Sequence, residues 1–369
     1  MSGRKIILLM LIFCLFGFVS RAQNNEAFTA VDYEIEMNNW TSAAQLTLPD
    51  ETETPPLVIL FHGSGPYDMN ATYSTEVFSD EEPVSENFLT IAETLAQEGV
   101  AVLRFNKRGV NAYGDYDFAQ VQASSLDVLI EDANDVIDFA LDIEAIDSER
   151  IYLYGWSEGA WVIANVATMR DDIAGLIMQG APDGDLADTL AYQYQELTPD
   201  YLNNTVDTDG DGLLSVEDVA GIPPGPVQYM IPFFFYQQGS DPANPTINSF
   251  VDSNGDEMID IDGELVPMIN MYLSNLPAYL PQVDASYETS ELVVEASILT
   301  LLLHGTHDGW TPLSGAEAIA EAAPDVVTLN VYENLGHALS ITENPVEDGF
   351  YPMELEPLND LIEWIESAA

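Results

Sequence analysis

From Pro56 onward the chain alternates short, continuously apolar runs with longer stretches in which apolar residues recur every three or four positions. An apolar run without polar alternation reads as a strand buried on both faces, and the three-to-four spacing as a helix laid against it. Leu57-Val58-Ile59-Leu60-Phe61 is the first such strand. A helix is expected from Phe88 to Glu98, stopped by Gly99, before a strand over Val100–Phe105. Leu126, Leu129, Ile130, Ala133, Val136, Ile137 and Ala140 trace one helical face, and a strand follows at Ile151–Tyr154. A helix from Glu158, strands at Leu176–Met178, Ile298–Leu303 and Val326–Tyr332, and a last helix over Leu358–Ile365 continue the pattern. Strands joined by helical crossovers lie parallel, so the expected fold class is α/β, a mostly parallel central sheet flanked by helices. Residues 24–55 are expected to add an edge strand or two around Tyr33-Glu34-Ile35-Glu36.

The alternation stops between Pro182 and about Glu295, where Asp, Asn, Pro, Tyr and Phe dominate. This stretch, 183–295, reads as an inserted cap, leaving 23–182 and 296–369 as the core. It stands where the carboxyl-end loops of the sheet lie, which is where open α/β sheets bind ligands.

Charge narrows the partners. The 369 residues carry 63 Asp and Glu against 8 Lys and Arg, a formal charge of −55, yet 47% are hydrophobic, so the chain folds rather than behaving as an acidic disordered tail. Nucleic acid is excluded as a partner, because phosphate binding needs clustered cations. Arg4, Lys5 and Arg21 flank an apolar run, Ile6–Val19, which ends in Ser20-Arg21-Ala22. That is the pattern of a signal peptide cleaved after Ala22, and the run is shorter than the ~20 residues that span a bilayer. The mature chain is therefore expected to be exported, to the periplasm or beyond, without a stable membrane anchor. Cys14, the single cysteine, would leave with the signal, so no disulfide is expected. Only Arg104, Lys107, Arg108, Arg150 and Arg170 then remain as cations. Self-repulsion on this scale calls for a salty medium or for bound cations.

Gly155-Trp156-Ser157-Glu158-Gly159 follows the strand Ile151–Tyr154 and opens a helix. A serine on so tight a strand-turn-helix projects its hydroxyl beside a helix N-terminus, and glycines two residues to either side give the turn its space. Such a serine needs a base to take its proton and a carboxylate to orient that base, in the chain order Ser, acid, His. Asp308 follows the strand ending at Leu303, and His337 is the only histidine after it. Asp183 is a second candidate acid, and His304, His307 and Asp308 have spacing suggestive of a metal site, without a third soft or imidazole ligand beyond the pair. His62 reads as a structural histidine at a strand end. The segment His62-Gly63-Ser64-Gly65-Pro66 offers amides free of bulky side chains, as an oxyanion hole requires. Its donors would be the amide of Glu158 together with that of Ser64 or Gly65.

With these residues in place the chain resembles the α/β-hydrolase family, and more narrowly its exported bacterial esterase-like members. Those pair H-G-S-G-P with R-[YF]-x-K-R-G, here Arg104-Phe105-Asn106-Lys107-Arg108-Gly109, and with a G-x-S-E-G elbow. The resemblance covers 56–182 and 296–369 but not the cap. It implies two-step acyl transfer, with Ser157 attacking a carbonyl, His337 as base, and water releasing the acid. The family also includes aminopeptidases and thioesterases.

Two acidic loops interrupt the cap. Asp207, Asp209, Asp211, Gly212, Leu213, Ser215 and Asp218 fall at positions one, three, five, six, seven, nine and twelve of a calcium loop, with Asp in place of the usual closing Glu. The second loop offers Asp252, Asn254, Asp256, Met258 through its carbonyl, and Asp260. It carries Glu257 at the sixth position and Gly263 at the twelfth, where Asp262 or Glu264 would have to substitute. The two resemble the paired loops of EF-hand and dockerin-type modules, so structural Ca2+ is expected, and no organic cofactor. The aromatic run Ile231-Pro232-Phe233-Phe234-Phe235-Tyr236, with Tyr192, Tyr194 and Tyr229, fits either an acyl pocket or the cap's own core. The leading expectation is a secreted serine hydrolase acting on small or medium esters. A serine peptidase of the same fold, and a calcium-dependent binding protein on an inactive scaffold, are the alternatives.

Overall fold

The structure, a computed structural model, describes residues 27–74, 83–241, 243–276 and 288–368. The expected signal segment and Cys14 lie outside the described residues. Eight strands form the central sheet: β1 (Phe28–Met37), β2 (Trp40–Pro49), β3 (Leu57–Phe61), β4 (Ala101–Phe105), β5 (Ile151–Trp156), β6 (Gly175–Gln179), β7 (Thr300–Gly305) and β8 (Val327–Tyr332). Their spatial order is β1-β2-β4-β3-β5-β6-β7-β8. From β4 to β8 every pairing is parallel, whereas β2 runs antiparallel to β4. The expected edge element is a full antiparallel hairpin, paired from Phe28↔Pro49 to Met37↔Trp40. Asn39 at its tip takes φ 58°, a conformation that asparagine tolerates in tight hairpin turns.

Strands β3, β5 and β6 are buried along their whole length, which is why they carry no polar alternation. Leu57, Ile59 and Phe61 face a core built with helices α2 (Leu126–Leu141), α3 (Glu158–Met169), α5 (Thr289–Ala296) and α6 (Leu313–Ala322). Val58 and Leu60 face the opposite layer, built on α1 (Asn87–Gln97) and α7 (Leu355–Ala368). Helix α5 buries Val293 in the core against α3, so the core layer resumes within the stretch expected as insertion. Between β6 and α5 a separate core gathers Leu202, Leu214, Val227, Met230, Phe234, Ile259 and Ile269 around α4 (Pro226–Phe234).

The cations are spent inside or in pairs. Arg104 is 1% exposed, donates to Asn70 and Gln45, and is brought down to about 10 by burial. Arg108 clamps Asp132 and also donates to the Asn38 carbonyl at 2.9 Å, stapling α2 to the β1–β2 hairpin. Arg150 pairs with Asp147, and Arg170 with Asp138 and Asp172. Among the described residues, therefore, the unpaired surface charge is essentially all negative. Removing Arg108 strands a buried carboxylate. Arg108→Ala is expected to lower unfolding free energy by about 3–5 kcal/mol in urea titration, whereas Arg108→Met with Asp132→Leu recovers most of it. Equal losses in the single and double variants would show that the pair is not what holds the hairpin.

Candidate active site

Ser157 stands between β5 and α3 at φ 55° and ψ −117°, outside the regions a serine ordinarily occupies. Its amide donates to the Gln179 carbonyl at 2.9 Å, which ties the strained turn to β6. A Cβ on Gly155 would lie 2.4 Å from the Gly159 carbonyl oxygen, and one on Gly159 would lie 2.4 Å from the Phe61 carbonyl oxygen. Both elbow glycines are thus required by backbone packed on backbone.

Asp308 and His337 follow the ends of β7 and β8, each 2% exposed, with Asp308 Oδ2 2.8 Å from His337 Nδ1. The other acceptor sites of Asp308 are filled: Oδ1 accepts from the amides of Trp310 at 2.9 Å and Thr311 at 2.8 Å, and Oδ2 also accepts from Thr311 Oγ1 at 2.9 Å. Burial alone would push this carboxyl up. The His337 ring, His304 and the Thr311 amide together hold it below its ordinary value. An ionised Asp308 accepts from His337 Nδ1–H and so leaves Nε2 as the ring nitrogen that can accept a proton.

The main chain of His337 is clamped as well. Gln179 Nε2 donates to its carbonyl at 2.7 Å, and its amide donates to Asp348 Oδ2 at 2.8 Å. The same oxygen accepts from the Gly309 amide at 2.9 Å, so Asp348 joins the acid loop to the base loop. Asp348 is fully buried, its Oδ1 has no partner, and a Cβ on Gly336 would collide with it at 1.8 Å. Burial, and then the charge of Asp308, push the Asp348 carboxyl well up, towards the neutral acid. One acid among 63, in an irregular loop, carries no sequence signal that would single it out.

Ser157 and His337 line one cavity of about 210 Å³ with Gly63, Ser64, Tyr67, Trp156, Trp310 and Phe350 from the core. Leu186, Thr189, Leu190, Gln193, Tyr194, Tyr229 and Phe233 close it from the insertion. No Asp, Glu, Lys or Arg lines it among the described residues. The aromatic run divides by helix face: Phe234 and Phe235 are buried in the cap core, while Tyr229 and Phe233 reach the cavity. Tyr192 Oη donates to the Asp308 carbonyl at 2.8 Å and Gln193 to the Trp310 carbonyl at 2.8 Å, so the insertion is also bonded to the acid loop.

The remaining sequence candidates separate. Ser64 lines the cavity, while Gly65 sits against the Tyr67 ring. Asp183 instead accepts from the Ser290 amide at 2.9 Å, at the start of α5. His307 is bound to the Thr342 carbonyl and His304 to that of Thr311, and with Asp308 they do not form a metal cluster. His62 is buried against the Asp68 carbonyl; burial and the Lys107 charge bring it down to about 3, so it is neutral and structural.

In the insertion, Asp207, Asp209 and Asp211 bring carboxylate oxygens within 4.8 Å of one another, the one such cluster among the described residues. With Leu213, Asp218 and Met258 they border a hollow of about 90 Å³. The charge of Asp211 pushes the Asp209 carboxyl up, a repulsion that a cation would relieve. In both loops the first aspartate accepts from the fourth and sixth amides: Asp207 from Gly210 and Gly212, Asp252 from Gly255 and Glu257. The loops pair through Leu213↔Asp260 and Leu214↔Ile259, the latter being the eighth position of each. Glu257 takes φ 63° where the first loop has Gly212 at 78°. At the closing end Glu264 reaches back, accepting from the Ser253 amide at 2.8 Å and the Asp260 amide at 3.1 Å. Asn254 and Asp256 accept from the amides two residues on, and Asp218 accepts from Ser215. The oxygen donors of the first loop suit a hard cation such as Ca2+.

Residues 86–216 match the prolyl oligopeptidase family, a span that includes Ser157 but neither Asp308 nor His337. The chain is 30% identical over 154 residues to the esterase EstD of Thermotoga maritima, covering 42% of this chain and 33% of that protein. The match thus spans about a third of the length of that relative. Among solved structures, a 2,6-dihydroxy-pseudo-oxynicotine hydrolase aligns with TM-score 0.52 and 15% identity over 92% of this chain and 68% of its own. The acylaminoacyl peptidase of Pyrococcus horikoshii aligns with TM-score 0.52 and 14% identity, over 92% and 42%. At such identities the likeness is one of fold, and the fold is that of the α/β-hydrolases.

The upward shift of the Asp348 carboxyl has a signature in stability. With its folded value raised, its contribution is complete below the unfolded value, about pH 4, and is lost as pH rises through the folded value. Asp348→Asn removes that ionisation. Its urea midpoint is therefore expected to gain on that of wild type as pH is raised from about 4 to 8. Parallel profiles would refute the assignment.

Proposed function

We propose that the protein is a serine hydrolase that cleaves carboxylic esters through an acyl-enzyme on Ser157. The observation that carries this reading is the buried Asp308–His337 hydrogen bond, whose histidine lines one aromatic cavity with the strained Ser157. The Ser157 hydroxyl attacks the ester carbonyl while His337 Nε2 takes its proton, and Asp308 stabilises the imidazolium. The carbonyl oxygen, now an anion, accepts from the amides of Glu158 and Ser64. As the tetrahedral adduct collapses, His337 returns the proton to the departing alcohol. Water then enters, gives its proton to His337, and releases the acid with Ser157 restored.

The lining favours esters over peptides. A peptidase that recognises a chain end needs a charge to hold it, and the cavity offers aromatic rings and Leu186, Leu190, Thr189 and Gln193 instead. EstD is itself named an esterase, which supports the same reading.

Calcium has a structural place in this proposal. Bound in the first loop through Asp207, Asp209, Asp211, Leu213, Ser215 and Asp218, it would neutralise clustered charge; Asp252, Asn254, Asp256, Met258 and Asp260 are the second set. Leu214 and Ile259, at the pairing of the loops, pack in the same cap core as α4, which carries Tyr229 and Phe233 into the cavity. Export and adaptation to salt are proposed with it, supported by the leader-like pattern before Gln23 and by the −55 charge.

Hydrolysis of short p-nitrophenyl esters by wild type and Ser157→Ala tests the chemistry; the variant is expected to lose kcat by ~10³-fold or more. Covalent labelling of wild type by a fluorophosphonate should disappear in the same variant. Turnover of aminoacyl amides with no ester turnover would transfer the reading to a peptidase, and a wild type that neither turns over nor labels would favour a binding protein. For calcium, the melting temperature in low salt should fall on chelation and be restored by Ca2+, with Asp209→Asn insensitive to both. Identical melting curves with and without chelator would remove the ion from the proposal.

A further inference from the structure

Lys107 is only 8% exposed, lies just past β4, and is the one cation among the described residues that the fold brings next to the nucleophile turn. Its ammonium donates to the Gly63 carbonyl at 2.7 Å and pairs with the carboxylate of Glu158. Its amide donates in turn to the Tyr67 carbonyl at 3.1 Å, so the same residue is bonded to the 62–67 loop at both its ends.

Gly63 carbonyl and Ser64 amide belong to one peptide plane, and in a trans peptide they point in opposite directions. A carbonyl drawn to Lys107 therefore turns the Ser64 N–H the other way. Gly63 and Ser64 line the cavity with Ser157, and a Cβ on Gly63 would stand 3.2 Å from the Ser157 Cβ. The plane thus lies directly beside the nucleophile. Glu158, the second partner of the ammonium, supplies the other amide expected to face the oxyanion.

We infer that Lys107 is the positioning residue of the oxyanion hole: one ammonium holds the Gly63–Ser64 peptide and the Glu158 residue together, so that their two amides converge on the anion formed at Ser157. The ammonium bond also polarises the peptide, and a peptide whose oxygen accepts from a cation donates more strongly through its nitrogen. Glu158 balances the charge, so the site does not attract anionic substrates in the resting state. This accounts for the Lys in Arg104-Phe105-Asn106-Lys107-Arg108-Gly109 and for the Glu of Gly155-Trp156-Ser157-Glu158-Gly159, neither of which proton transfer requires.

The inference rests on the serine-hydrolase reading, and the experiment separates the two. Wild type is first labelled with a fluorophosphonate. Lys107→Met is then compared with it in p-nitrophenyl ester turnover and in inhibition by an aryl boronic acid, which forms a tetrahedral adduct on a serine. The variant is expected to lose ~10²-fold in kcat with KM within about threefold, and to lose boronate affinity by the same factor as kcat/KM. Lys107→Gln, which keeps a donor for Gly63 without the charge, should lose about tenfold in both, and it serves if the Met variant melts early. Unchanged boronate affinity in a folded variant, or a loss confined to KM, would overturn the inference while leaving the hydrolase reading intact. A wild type that does not label would overturn both.

Discussion

Asp308 is a carboxylate only 2% exposed, and most of the site's geometry follows from what it takes to keep that charge. Two amides, a hydroxyl and an imidazole N–H surround it. Those donors come from its own loop and from the loop after β8, so both loops must close on one point. Asp348 completes the closure by joining the Gly309 and His337 amides, and with Asp308 charged beside it the second acid is driven towards its neutral form. Two carboxyls in one buried neighbourhood are thus pushed apart: donors hold Asp308 below its ordinary value, while burial and that neighbouring charge push Asp348 up.

The same logic governs the other charges. With five cations among the described residues, the fold places Arg104, Lys107 and Arg108 in its interior, where each bridges segments distant in sequence. Arg150 pairs locally with Asp147, while Arg170 pairs with nearby Asp172 and also with Asp138 on α2. The carboxylates left over face outward, and in the insertion some gather in loops whose own amides point at them. A protein so charged depends on what surrounds it, and the cap that walls the cavity is where clustering is densest.

Much of the fold was legible beforehand. The strands β3 to β7 sit within a residue or two of their apolar runs, because a strand buried on both faces leaves no choice but continuous hydrophobic sequence. Ser157, Asp308 and His337 stood out as candidates because each follows the end of a strand, and the structure places Asp308 beside His337 and lines one cavity with His337 and Ser157. The hairpin β1–β2 was read only in part, since an edge ribbon alternates polar and apolar residues and resembles many loops. Helix α5 was assigned to the insertion because Thr289–Ala296 has a weakly amphipathic, acid-rich sequence, and its place depends on Val293 meeting α3. The aromatic run could not be divided between pocket and core until α4 gave each ring a side.

The sequence by itself determined the local requirements: glycine at 155 and 159, a serine between strand and helix, an acid and then a histidine after later strands, and carboxylates at fixed spacing in an acidic loop. These are legible because they are constraints on neighbouring backbone, where sequence distance and spatial distance nearly coincide. Only the tertiary structure decided that Asp348 joins the acid and base loops, that Lys107 connects the Gly63 peptide to Glu158, and that Leu214 meets Ile259. Those partners lie 11 to 51 residues apart. Hydrogen bonds between such partners depend on loop closure around a common core, and no periodicity along the chain records where a closed loop will set its side chains down.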